Sequence, residues 1–564
     1  MVNLFRFWPP DGARTSARTS LSVKGTAADN GRRTKDDGLK TTDNRPALSA
    51  NLLSSAYIRW AASALSGVLL FSCFPLLNWH PLVWVACAPL MAAAVSEPRL
   101  GRAYLLGALT GSVFLIGSLY WFVTVMTVYG HMPAVLAMGV MVPFLVLFSS
   151  FWGVFALVEA WTARRSLAIA LVLSPFLWVA LEFARTYYFV QGFPWNFLGY
   201  AVQPLGLRQL ASTTAVYGLS FLAVASSALV AWSMKEWHWR KSGPLIAWTV
   251  LLLIANYVLD PASVQRGTNV ALLVQPNVPM DETAQEKWAP WQNPEPLAHL
   301  VSITEESLRS QGQQFLTPPL IVWSENPAPF FFGRDPVFRT AIENMARRTH
   351  AYVVVGTNTF AGPDNSLPHN SAVVLDPSGQ LILQYDKIHL VPFGEYVPGW
   401  LPSTVGKITS QVGDYVPGTR YEWVASPDGA IGVFICYESI FPQLVRRLTP
   451  TGPSVLVTIS DDAWYGDSSA AYQHLEMARL RAIENHRFLL RSTNDGVTAV
   501  IDPYGRVLAT IPRHRAMALA GSFSFLTEET FYRAHGDVFA WLCVAASGLT
   551  AGLAVLGQKT GSRH

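Results

Sequence analysis

Long apolar windows dominate the first half of the chain, at residues 60–77, 81–95, 104–129, 132–158, 167–181, 211–232 and 243–259, and one more follows at 538–557. A helix needs about 20 residues, in a range of about 17–25, to cross the hydrocarbon layer of a bilayer. The pattern therefore predicts a multi-pass α-helical membrane part of about eight spans. Windows 81–95 and 167–181 are short for a crossing; each either extends through flanking polar residues or is an interfacial or re-entrant segment. Between the seventh and eighth windows the texture changes to short β-branched runs bounded by turn formers, among them "NVALLVQPN" from 269, "PPLIVWSE" from 318, "AYVVVGTN" from 351, "AIGVFICYE" from 430 and "PSVLVTISDD" from 453. Such runs read as strands buried on both faces. Helical patterns at 335–349 and 470–488 interleave with them, which predicts an α/β domain.

Composition agrees with a chain partly in lipid: 51% of its residues are hydrophobic and 14% charged, against about 25% charged in soluble domains. Basic residues orient the windows. Arg99 and Arg102 follow the second, Arg164 and Arg165 the fourth, Lys235, Arg240 and Lys241 the sixth, and Lys559 and Arg563 the eighth, whereas "LNWH" at 77–80 and "GHMP" at 130–133 hold no Lys or Arg. The positive-inside rule then puts both termini in the cytoplasm and the long 260–537 segment on the other side. The first 50 residues, with nine Lys/Arg, five Asp/Glu and no apolar core, read as a disordered tail and not as a signal peptide. The expected division is a tail at 1–55, seven membrane helices at 56–260, a catalytic domain at 261–530, and the last helix with its tail at 531–564. The net charge of +4 adds nothing beyond this topology, and no nucleic-acid motif or phosphate-cradling glycine loop occurs.

Three of the predicted strands end in reactive groups: Glu325 after "LIVW", Lys387 after "LQYD" and Cys436 after "VFI". Cys73, Cys87 and Cys543 lie inside membrane windows, where a thiol behaves as a small hydrophobe. In α/β folds, functional side chains gather at strand ends. A thiolate is a strong nucleophile, favoured by a nearby cation and a base. Lys387 can supply the charge and stabilise an oxyanion, and Glu325 can carry the proton to a leaving group. The set can perform covalent acyl transfer without histidine, metal or cofactor; His389, His474 and His486 show no ligand spacing and read as structural.

This Glu-Lys-Cys set resembles that of the nitrilase superfamily of carbon-nitrogen hydrolases, and, with the membrane windows around it, the apolipoprotein N-acyltransferase family. The resemblance spans roughly residues 57–557 and rests on "GFPWNFLGY" (192–200), "WSEN" (323–326), "YDKIHLVPFGEYVP" (385–398), "CYES" (436–439), "SDDAWYG" (460–466) and "RSTNDGVTAVIDPYG" (491–505). It implies an α-β-β-α sandwich in which Glu325 is the proton acceptor, Lys387 the oxyanion partner, Cys436 the nucleophile and Glu395 a supporting acid. Tyr437 and Glu438 would shape the acyl site, and Trp288 and Trp464 would sit on mobile loops near the substrates. The family often carries Asn where this chain has Asp461. The implied reaction moves an acyl chain from a membrane phospholipid, through a Cys436 thioester, to the α-amino group of a diacylglyceryl-cysteine on an apolipoprotein. The implied enzyme is monomeric and faces the periplasm from the bacterial inner membrane.

Other readings of single residues stay open. Lys387 and Glu395 can be a surface ion pair, Glu325 a cap, Tyr437 and Trp464 core aromatics. "GFPWNFLGY" can be an interfacial aromatic belt or a lipid-access element, and Glu182 and Arg185 can pair or snorkel. Two other functions also remain: a membrane-tethered amidase that uses water as acceptor, and a transporter with an inactive external domain.

Overall fold

The structure, a computed structural model, describes residues 55–187, 192–235, 242–261, 263, 267–278, 293–311, 317–325, 331–361, 366–396, 399 and 415–561. Among the described residues four helices are long and apolar enough to cross a membrane: Leu100–Leu119, Ala134–Ala163, Leu167–Tyr187 and Ala211–Lys235. The marginal 167–181 window becomes a full crossing length by running on through Glu182 and Arg185. Ala56–Ser72 and Gly243–Leu259 are apolar helices of 17 residues, about 26 Å each at 1.5 Å per residue. Helix length among the described residues does not confirm the count of eight spans. Window 81–95 departs most, splitting into a 3₁₀ turn, His80–Trp84, and a seven-residue helix, Ala88–Ala94. Pro81 and Pro89 each stand in the first turn of those pieces, where a proline's missing N–H costs least, so the window starts helix twice and cannot run through.

Small residues set how closely the spans pack. Gly107 and Gly111, one turn apart on Leu100–Leu119, meet Ala134–Ala163 at backbone distance. A Cβ on Gly107 would lie 2.0 Å from the Trp152 carbonyl oxygen, and one on Gly111 2.9 Å from Ser149 Cα.

Among the described residues the second half forms two six-stranded sheets. The strands are β1 (Asn269–Gln275), β2 (Leu320–Trp323), β3 (Tyr352–Ala361), β4 (Leu367–Leu375), β5 (Leu381–Asp386), β6 (Trp423–Ser426), β7 (Gly429–Ile435), β8 (Ser454–Ser460), β9 (Leu489–Thr493), β10 (Thr498–Ile501), β11 (Val507–Ile511) and β12 (Met517–Phe523). Sheet order is β12-β1-β2-β3-β4-β5 in one and β11-β10-β9-β8-β7-β6 in the other. Each has three parallel strands at its centre, β1 to β3 and β7 to β9, flanked by antiparallel neighbours. The central strands are apolar on both faces because both are covered. Leu272, Val274, Ile321, Trp323, Val353 and Val355 pack outward on helices Glu295–Arg309 and Pro336–Thr349. The alternate residues Ala271, Leu273, Val322 and Val354 join the second sheet's core, as a side-chain period of two requires. Helices Pro442–Leu448 and Ala470–Asn485 cover the second sheet, completing the expected α-β-β-α sandwich.

Helix Ala470–Asn485 also fastens the sandwich to the membrane helices. Gln473 accepts from Trp195 Nε1 (2.8 Å) and donates to the Ser118 carbonyl (3.0 Å). Glu476 takes Arg208 (3.3 Å) and Gln203 (3.2 Å), and Arg481 reaches Tyr200 Oη (3.3 Å). Ala215 breaks helix Ala211–Lys235 with a φ of 53°, and the Val216 N–H beside the break finds Glu484 at 3.1 Å. A buried N–H without a helical partner must find another acceptor, and here it lies on the other half of the chain.

Gly107→Leu is expected to lower the melting temperature of the detergent-purified protein by several degrees, since overpacking costs about 1–3 kcal/mol. Gly139→Leu, at a position on Ala134–Ala163 with nothing within 4 Å of its added Cβ, should leave it within about 1 °C, and differential scanning fluorimetry compares the two.

Candidate active site

The two sheets point the same ends of their strands at one place. Glu325 lies two residues past β2, Lys387 directly after β5, Cys436 directly after β7, Asp461 after β8 and Asn494 after β9. Lys387 Nζ sits 3.1 Å from Glu325 Oε1 and 2.9 Å from Glu395 Oε1, and with its side chain 1% exposed this is no surface ion pair. Glu325 Oε2 accepts the Asp461 backbone N–H at 2.8 Å. Glu395 Oε2 accepts the Val391 N–H at 2.7 Å. Asn370, on β4, donates from one amide nitrogen to both acids, at 2.7 Å to Glu325 and 2.6 Å to Glu395. Burial works against the charge on Lys387, but Glu325, Glu395 and Cys436 outweigh it and hold the ammonium well above its ordinary range.

Cys436 begins a 3₁₀ turn, Cys436–Ile440, with a left-handed φ of 49°. That conformation costs a residue with a Cβ roughly 1–2 kcal/mol and turns the side chain out of the strand direction, so a residue that would have packed in the sheet faces the site instead. Burial pushes the thiol well above its ordinary range and the Glu325 charge adds to this, while Lys387 and the Ser460 hydroxyl pull the other way. The resting group is a thiol, which needs a base at the moment of attack.

Glu438 is wholly buried. Its Oε1 accepts the N–H groups of Ile388 (2.7 Å) and His389 (3.2 Å) and the Tyr385 hydroxyl (2.8 Å), and its Oε2 accepts the Ile435 N–H (2.8 Å). Burial pushes this carboxyl up to about 7, against those bonds and Lys387. Its action is to staple the Lys387 segment to the end of β7. Tyr437 is buried, edge-on to Phe441 with centroids 5.3 Å apart. Trp464 is 42% exposed and edge-on to Tyr129, whose hydroxyl donates to the Ala463 carbonyl at 2.7 Å; it is no core aromatic. Trp288 lies outside the described residues.

Trp195, Phe197 and Tyr200 of "GFPWNFLGY" are buried, which rules out an aromatic belt facing the interface. Glu182 accepts from Trp178 Nε1 and the Leu198 N–H, both at 2.9 Å, and Arg185 donates to the Trp195 carbonyl at 3.1 Å. These two residues hold the loop instead of snorkelling. Asp461 accepts from Asn494 Nδ2 (3.2 Å) and the Ala463 N–H (3.1 Å). Burial and the nearby Glu325 push its carboxyl well above the ordinary range. Reading the sequence missed Asn370 and Asn494. Neither asparagine has a spacing that separates it from turn and strand-edge residues; position immediately opposite or after a site-bearing strand was the available signal. Among the described residues no group of His, Cys, Asp and Glu is arranged to hold a metal ion.

Residues 288–520 match the family model described as carbon-nitrogen hydrolase, and residues 66–229 the one described as apolipoprotein N-acyltransferase N-terminal domain. An apolipoprotein N-acyltransferase of Geobacter metallireducens is 36% identical over 507 residues, covering 87% of this chain and 94% of that protein. The chain belongs to the apolipoprotein N-acyltransferase family. A further member from Bradyrhizobium diazoefficiens is 32% identical, over 72% of this chain and 76% of its own. Among solved structures, an amidase of the nitrilase superfamily from Nesterenkonia AN1 aligns at 18% identity with a TM-score of 0.34, covering 47% of this chain and 93% of that one.

Two outcomes test this geometry. Because the thiol's proton-loss range is raised, its thiolate fraction grows tenfold per pH unit throughout the range below it; iodoacetamide alkylation of Cys436, followed by mass spectrometry, should quicken at about that slope from pH 6 to pH 9 without a plateau. Asn370→Ala leaves both carboxylates short of a donor, and the rate of Cys436 acylation is expected to fall about 10- to 100-fold, measured by quenched-flow.

Proposed function

We propose that this membrane enzyme transfers an acyl chain from a phospholipid, through a thioester on Cys436, to the amino-terminal α-amino group of a diacylglyceryl-cysteine on an apolipoprotein. The reading is supported above all by two family models lying in order along one chain, the first on its membrane helices and the second on the Glu325, Lys387 and Cys436 site.

In the first half-reaction Glu325 takes the Cys436 proton as Sγ attacks the ester carbonyl carbon. The oxyanion that forms is stabilised by the Lys387 ammonium, which is already charged and held in place, so little reorganisation is needed as charge develops. The C–O bond breaks, Glu325 returns the proton to the leaving oxygen, and a lysophospholipid departs. In the second half the incoming amine attacks the thioester carbonyl. Glu325 takes a proton from nitrogen, the C–S bond breaks, and the sulfur is reprotonated. Glu395 and Asn370 hold Lys387 and Glu325 in register throughout. Trp464 and Trp288 are assigned to substrate contact and Tyr437 to the wall of the acyl site.

We place the enzyme as a monomer in the bacterial inner membrane, with residues 261–530 as its periplasmic catalytic domain, helices of 56–260 and 531–564 in the bilayer, and 1–55 as a cytoplasmic tail. Both reactants are lipid-anchored, so a site at the membrane surface raises their effective concentration. The same placement separates this reading from a tethered amidase, for which the membrane helices have no purpose.

The enzyme incubated with phosphatidylethanolamine is expected to show a mass increase of one acyl chain on Cys436, discharged on adding a diacylated lipopeptide. Cys436→Ala should lose both signals, and Lys387→Met should slow acylation at least about 1,000-fold. Release of free fatty acid as fast as lipopeptide acylation would favour the amidase; no adduct at all would remove the proposal.

A further inference from the structure

Behind the nucleophile lies a second buried cluster that the reaction scheme leaves unused. His474 is fully buried on helix Ala470–Asn485. Its Nε2 lies 3.0 Å from the carbonyl oxygen of Cys436 and 2.5 Å from Ser439 Oγ, so it touches the first and fourth residues of the Cys436–Ile440 turn. Its Nδ1 lies 2.9 Å from Asp462 Oδ1. Asp462 is fixed in turn by Arg491 (2.5 Å) and the Ser460 hydroxyl (2.8 Å). The imidazole is held between rings: Trp195 stacks on it with centroids 5.8 Å apart at 21°, and Tyr465 meets it edge-on at 6.1 Å. Trp195 is itself anchored by Gln473 and, through its carbonyl, by Arg185 of the Leu167–Tyr187 helix.

We propose that His474 is a positioning residue: it fixes the Cys436 carbonyl and thereby keeps the nucleophile's backbone in the left-handed turn from which Sγ faces Lys387 and Glu325. This rests on the acyl-transfer reading above. A positive φ in a residue with a Cβ persists only where its surroundings impose it, and a carbonyl, which can only accept, is fixed by the N–H that reaches it. With that donor gone the turn relaxes toward negative φ. The Cα–Cβ bond then swings, and the sulfur leaves its place beside the acid and the ammonium. Ser439, His474 and Asp462 stand in the order of a serine hydrolase's charge relay. Ser439 is fully buried within the turn, however, so its hydroxyl serves the backbone clamp and not a substrate.

The test is single-turnover acylation of the full-length enzyme by phosphatidylethanolamine in mixed micelles. The burst amplitude counts competent molecules, and the rate constant reports the placement of sulfur in each. His474→Leu is expected to lower the rate constant about 100-fold, the scale of an ångström's misplacement, with the KM for phospholipid unchanged within about twofold. His474→Gln, whose amide can still donate to the carbonyl, should recover to within about tenfold of wild type. Should His474→Leu fail to accumulate, Trp195→Leu, which removes the stacked ring, is expected to cut the rate constant about tenfold at unchanged KM. A lower amplitude with an unchanged rate constant would make the role merely structural and overturn the proposal, as would His474→Gln performing no better than His474→Leu. If wild type itself forms no acyl-Cys436, the acyl-transfer reading fails, yet iodoacetamide still reports on the clamp: His474→Leu should then be alkylated about tenfold more slowly, and equal rates would overturn the inference.

Discussion

One ammonium group kept away from water sets the terms for the rest of the site. Burying a charge costs several kcal/mol unless excellent partners surround it, and Lys387 meets that condition with two carboxylates at 3.1 and 2.9 Å. Those carboxylates have needs of their own. Asn370 serves both, the Asp461 N–H serves one and the Val391 N–H the other. The donors come from β4, from the end of β8 and from the segment after β5, so the charge is stable only when both sheets are complete and correctly stacked. The proposed chemistry would draw on the same arrangement, because a cation already fixed in a dry place acts on a developing oxyanion without rearranging.

The membrane helices are part of this construction. Helix Ala470–Asn485 turns one side toward the second sheet, and its polar side chains meet Trp195, Gln203, Arg208 and Val216 of the helical half. The contacts are buried hydrogen bonds with fixed directions, and apolar contact alone would let the two halves slide. A domain held this way keeps a fixed attitude relative to the helices it is bonded to.

Much of this was legible in the chain because it follows from periodicity and strand ends. Continuous apolar runs gave away the parallel strands, and Glu325, Lys387 and Cys436 stood out as reactive residues just beyond them. Window 81–95 was marked as short for a crossing, and what its length could not give was the break: Pro89 stands in the first turn of a fresh helix, so the window is split. The bonds of Glu438 could not be read, because adjacency to the nucleophile says nothing of direction, and its carboxylate points back at three backbone N–H groups. His474 read as structural, and its contacts with Cys436 and Asp462, 38 and 12 residues away, leave no pattern in the sequence. Asn370 was invisible for the same reason: a single asparagine on a strand has no pattern.

The pairing of β1 with β12 has a consequence for how the molecule is made. Asn269 pairs with Phe523 and Gln275 with Met517, so the earliest strand to leave the ribosome is completed by the latest, after every other strand has been synthesised. Until then β1 is an open edge, and such long-range closure is slow because the connecting chain's entropy must be overcome first. The second sheet has no such delay, since its six strands are consecutive. The sheet that carries the ammonium and its acids can therefore be sealed only after all six strands of the sheet that carries Cys436 have been synthesised.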